Sequence, residues 1–174
     1  MSRVLVAMLA TLMLVSLRRA LPVIIGMSWL PLTPGAVIVA YAALTWPPIE
    51  AVVAAALCGL VVDALSGMPL GVSSFALVVS LLATRLTLRF FTRSRGLAAS
   101  AFAGAFGVLQ ALVATALLAA FGDRHGGFDV LNAVVIGVMD FALALIVFPA
   151  LHAALVSLNL EERGASLRER LALR

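Results

Sequence analysis

Four side chains with acid–base or strong hydrogen-bonding chemistry stand inside long apolar stretches: Asp63, Arg85, Gln110 and Asp140. In hydrocarbon a charge or an amide is costly unless paired. Each of the four therefore meets a partner in the folded chain or lines a path for a substrate or proton. Asp63 has the most pointed surroundings. It lies in GLVVDALSGMPLG, Gly59 to Gly71, and is the only acid in the apolar run from Ala51 to Leu70. Ser66, Gly67 and Pro69 are turn residues, and Gly71 can adopt backbone conformations closed to other residues. The pattern predicts a turn between two apolar helices. The Asp63 carboxylate would accept from backbone N–H groups of the turn or of the helix that follows. The plainer alternative is that Asp63 and Ser66 cap helix ends at the level of the lipid headgroups. Asp140 has three open readings: an ion pair with Arg85, a hydrogen bond from Gln110, or a place on a transport path.

No spacing points to covalent or metal chemistry. The chain has no glycine-rich phosphate loop, no paired-histidine motif and no GxSxG setting for a nucleophile. His125 and His152 are far apart, and the only cysteine, Cys58, lies in an apolar helix, so no internal disulfide can form. The expectation is a protein that is not an enzyme and binds no cofactor or metal. The formal net charge of +4 comes from twelve arginines and no lysine. In so apolar a chain those arginines read as anchors at the membrane surface, in contact with lipid, rather than as a nucleic-acid site.

Hydrophobic residues make up 64% of the chain, far above the roughly 45–50% of soluble domains. The mean hydropathy of +1.18 agrees. The elements that must position the four polar side chains are therefore membrane helices. The first runs from Val4 past Arg18 and Arg19 to about Ile25, uncleaved, because arginines stand where a signal-peptide cleavage site needs small residues. A short second helix runs from Pro34 through Tyr41 to Trp46, with Trp46 in an interfacial belt and Pro47-Pro48 as the stop. Glu50 opens the third, Ala51 to Leu65, and the fourth spans Val72 to Phe91. The fifth, Leu97 to Phe121, carries Ser100, Ala103, Gly104 and Gly107 at small-xxx-small spacing, which favours close helix contact. The sixth runs from Asp129 to Leu158 and contains Asp140 and Pro149. Residues 1–160 thus read as one six-helix transmembrane domain, and residues 161–174 as a short cytoplasmic tail.

With six spans, Arg3, Arg89, Arg93, Arg95, Arg163, Arg168, Arg170 and Arg174 fall on one side, and Arg18, Arg19 and Arg124 on the other. The excess of arginine places both termini in the cytoplasm and the Ser66–Pro69 turn outside.

GLVVDALSGMPLG, followed by an apolar helix, resembles the signature of the MreD family of bacterial rod shape-determining membrane proteins. Gly59, Asp63, Ser66, Gly67, Leu70 and Gly71 carry the match. A short second helix ending in Trp-Pro, a long helix ending in arginines and a last helix with Pro149 resemble the family's layout. Where the family often has Asn before that proline, this chain has Asp140. The resemblance implies a non-enzymatic part of the elongation machinery, or elongasome, for lateral peptidoglycan synthesis. It would sit in the bacterial inner membrane beside an MreC-like membrane protein. An MreB-like filament and the synthase pair of a SEDS glycosyltransferase and a penicillin-binding protein would be indirect partners. It also implies a fold similar to the substrate-binding membrane subunits of energy-coupling-factor transporters. That similarity supplies the rival reading, a small-molecule-binding subunit of a vitamin-type transporter.

Overall fold

The computed structural model describes residues 2–25, 32–67, 69–88, 97–120 and 130–158. Six helices and no strands occur among them: α1 (Ser2–Ile25), α2 (Pro34–Thr45), α3 (Pro48–Ser66), α4 (Val72–Leu88), α5 (Leu97–Ala120) and α6 (Val130–Ser157). α3, Ala98–Ala120 within α5 and Leu131–Ser157 within α6 are long and apolar enough to cross a bilayer. The protein is an all-α membrane protein. The expected residues 89–91, Phe121, Asp129, the 122–127 loop with His125, the arginines beyond Leu88 and the 161–174 tail lie outside the described residues.

Prolines and a glycine set the helix limits. Pro34 occupies the first turn of α2 and Pro48 that of α3, where a missing N–H costs nothing. α3 begins two residues before the expected Glu50. Glu50 lies in its first turn and meets Arg3 of α1 at 3.8 Å. α3 ends at Gly67, whose φ of 73° is left-handed and whose N–H donates to the Asp63 carbonyl at 3.2 Å.

α2 is the centre of the bundle. It packs against all five other helices, and every residue from Pro34 to Ala43 is buried. A helix apolar on every side has no face for water. At about 1.5 Å per residue its twelve residues reach roughly 18 Å, short of a core of about 30 Å. Trp46, expected in an interfacial belt, is buried in the same core. It follows the end of α2 directly, so the hub helix carries it inward.

Contacts across the bundle fix the helix directions. Thr33 meets Asp140 and Tyr41 meets Phe148, so α2 and α6 run in parallel. Gly35 approaches Leu77 while Arg85 reaches Trp46, so α4 runs with them. α5 runs opposite to α6. A Cβ on Gly104 would stand 2.7 Å from the Gly137 carbonyl oxygen and 3.1 Å from Phe141 Cβ. The two backbones therefore nearly touch, the expected use of small residues where apolar lipid gives no hydrophobic drive for helix association. Ser100 and Ala103 are buried beside Gly104 and Gly107.

Candidate functional site: the Asp63 turn

Asp63 lies near the end of α3 and is 1% exposed. Its Oδ2 accepts from the N–H of Gly71 at 2.8 Å and of Ser74 at 3.5 Å, and its Oδ1 from the N–H of Ser73 at 3.0 Å. The register of α4 explains this set. The Gly71 carbonyl accepts the N–H of Phe75 at 2.8 Å, so Gly71 is the N-cap residue, and Ser73 and Ser74 are the second and third helical residues. Those are the N–H groups that an N-cap side chain ordinarily satisfies. Gly71 has no side chain, and Asp63 supplies the acceptor from the neighbouring helix. Its negative charge also stands at the positive end of the α4 dipole.

The other motif residues allow that approach. A Cβ on Gly59 would stand 2.6 Å from the Ser74 nitrogen and 3.0 Å from the Ser73 carbonyl carbon, so only glycine lets the α3 and α4 backbones meet there. Ser74 Oγ donates to the Ala56 carbonyl at 2.8 Å just below. Ser66 Oγ donates to the Asp63 carbonyl at 3.3 Å, which places it on the α3 C-terminus rather than on the carboxylate. Gly71 has φ of 103°, closed to other side chains. The Pro69 carbonyl accepts from the Val72 N–H at 3.4 Å. Ser66, Gly67, Pro69 and Leu70 form an exposed tip above a buried carboxylate.

Arg85, Gln110 and Asp140 take no part in this knot and form no hydrogen bond with one another. Asp140 forms neither the ion pair with Arg85 nor the hydrogen bond with Gln110 that its position allowed. Its Oδ1 accepts from the N–H of Thr33 at 3.0 Å, and its Oδ2 from the Thr33 hydroxyl. Thr33 is the N-cap residue of α2. The arginine whose charge reaches Asp140 is Arg18 of α1. Arg85 works at the opposite end of α2. Its Nη2 donates to the carbonyls of Trp46 at 2.7 Å and Ala42 at 3.5 Å. Asp140 and Arg85 thus complement the two ends of the α2 dipole from other helices. Arginine near the last carbonyls of a helix also satisfies acceptors left over there. Gln110 is buried, and its Oε1 has no hydrogen-bond partner.

Asp63, Asp140 and Arg85 therefore act alike, since each finishes a helix that is not its own. That matters more in a membrane than in water, because no solvent is at hand for the orphan groups of a helix end. Gly137 and the steric role of Gly107 towards Asp140 have no signature in the sequence. Thr33-Pro34 is a legible cap-and-first-turn pair, but nothing in the sequence ties it to Asp140. Among the described residues no group of three histidine, cysteine or acidic side chains could hold a metal.

No family model, curated protein or solved structure matches this chain.

Proposed function

We propose that this chain is a non-catalytic, MreD-like component of the bacterial elongation machinery, which holds an MreC-like partner in the inner membrane and so helps regulate lateral peptidoglycan synthesis. One observation carries the reading. The motif GLVVDALSGMPLG closes into a rigid turn in which Asp63 takes three backbone N–H groups of the next helix. The buried carboxylate spends its hydrogen-bonding capacity on holding the end of α3 to the start of α4, and Ser66, Gly67, Pro69 and Leu70 are exposed above it. An exposed turn held in this way suits a contact surface because little freedom is lost on binding.

In this reading all six helices cross the inner membrane, both termini are cytoplasmic, and the tip faces outward, within reach of a membrane-proximal segment of the partner. The alternating helix directions support that arrangement. A cysteine at Leu70 should then react with an impermeant thiol reagent from outside, and one at Leu158 only from inside. Reaction of both from the same side overturns the six-span orientation. The functional test is co-purification in mild detergent with the single-span, coiled-coil MreC-like protein of the same cell. Stable capture supports the proposal. A vitamin-sized molecule retained through purification, with no capture of that partner, would favour a transport subunit instead.

A further inference from the structure

Heights along the bundle can be compared through the contacts that cross it. Thr11 of α1, Val62 of α3 and Leu77 of α4 all meet Gly35 of α2. Thr33, two residues before it, is bonded to Asp140 of α6, against which Gly107 of α5 packs. From that common level outward, α3 continues only to Ser66 and α4 only back to Val72, about 6–8 Å at 1.5 Å per residue. α1 continues to Ile25, α5 to Ala120 and α6 back to Val130, roughly 15–21 Å on the same rise. The outer end of the molecule is therefore stepped by about 10 Å, with the Asp63 turn on the lower level.

On the high side α1 carries Arg18 and Arg19, while α5 and the part of α6 outward of Asp140 are free of charge. Leu131 and Val134 are exposed there. Hydrocarbon must cover these side chains. The low side is different. Ser66, Gly67, Pro69 and Leu70 are exposed, and the backbone of a turn carries N–H and C=O groups that hydrocarbon cannot satisfy. Below the turn, α4 has only Val72 to Thr84 before Arg85, about 20 Å of apolar helix against a core of about 30 Å.

We infer that the bilayer is locally thinned along the α3–α4 edge, with lipid headgroups of the outer leaflet drawn down onto the tip that carries Ser66, Gly67, Pro69 and Leu70, while hydrocarbon still covers α5 and α6 at the same height. Thinning is the ordinary response to a short hydrophobic stretch, at a modest cost per ångström of mismatch. Here the short and long stretches lie on different sides of one protein, so the mismatch has a direction. The surface offered to lipid is the tip, with its backbone polar groups, and Phe75 beneath it for the acyl chains.

The inference rests on the membrane placement of the helices but not on which way the protein is inserted. Single cysteines at Leu70, Val134 and Ile146, all exposed, would carry a nitroxide in protein reconstituted into dioleoylphosphatidylcholine vesicles. Cys58 is buried, and unmutated protein is the labelling blank. Val134 lies six residues outward of Asp140 and stands no lower than Leu70. Collision with a water-soluble nickel chelate should be several-fold stronger at Leu70 than at Val134, and collision with oxygen should be stronger at Val134. Ile146, near mid-depth, should show oxygen and little nickel. Equal nickel collision at Leu70 and Val134, or more at Val134, would overturn the thinning with the membrane placement intact. Strong nickel collision at Ile146 would overturn the placement itself and the inference with it.

Discussion

Asp63 and Asp140 are both fully buried carboxylates, and both close the start of another helix. They differ in what faces them. Asp63 meets only N–H groups, three of them, from residues eight to eleven positions ahead in the chain. Asp140 accepts hydrogen bonds from one residue, Thr33, across 107 positions, through an N–H and a hydroxyl, with the Arg18 charge also in reach. An N–H can only donate, whereas a hydroxyl can turn and accept. The first site therefore demands an acceptor, and the second tolerates a donor on one of its two bonds. The same residue type holds a local turn in one place and ties α6 to the hub helix in the other.

The largest expected effect follows from removing the acceptor where nothing can replace it. Asp63→Ala leaves three buried or half-buried N–H groups without a partner and should cost about 3 kcal/mol of stability. Thermal unfolding in detergent, with membrane abundance alongside, is the check. Asp63→Asn keeps one acceptor oxygen but turns an NH2 towards N–H donors. It should cost about 2 kcal/mol, less than alanine and more than any amide substitution at Asp140. Gly107→Ala attacks the second site from behind, since its Cβ would collide with the Asp140 carboxylate. Moving that carboxylate off Thr33 should cost about 2 kcal/mol, and the loss should shrink when Thr33 is already valine. Asp140→Asn is the mildest, about 1 kcal/mol or less, because the new NH2 can donate to the Thr33 hydroxyl. If Asp140→Asn proves as damaging as Asp63→Asn, the distinction drawn from the donors is wrong.

The α5–α6 seam gives a different kind of contrast, steric rather than polar. Gly104→Leu would drive a large side chain into the Gly137 backbone, and a substantial drop in melting temperature is expected. A wild-type melting temperature would mean that this face does not set the helix spacing.

What was legible in the sequence follows the distances over which the residues act. Pro34, Pro48 and Gly67 punctuate the backbone locally, and the helix limits follow them to within a residue or two. The Asp63 turn is legible for the same reason: acceptor, glycines and the start of the capped helix lie in or beside one stretch of thirteen residues, Gly59 to Gly71. The small residues of α5 announce a close contact but not its partner. Gly137 has no pattern of its own until α6 is laid against Gly104. Arg85 and Asp140 look like a natural pair of opposite charges among the intramembrane residues. In the fold they stand at opposite ends of α2, separated by the length of the hub helix. Trp46 has the composition of an interfacial anchor but follows the helix that the other five enclose. The evenly apolar surface of α2 was the available signal for that, since a helix with no polar side has no place at the edge of a bundle.

A buried carboxylate that fixes the shape of an exposed turn for a partner is the central claim. The most direct measurement is capture of the MreC-like protein by the wild type, Asp63→Asn and Asp63→Ala, each normalised to its own abundance in the membrane. The predicted result is a graded loss, partial for asparagine and severe for alanine, beyond any fall in abundance. Full capture by Asp63→Ala at full abundance would contradict it, because the turn would then keep its shape and its contact without the carboxylate.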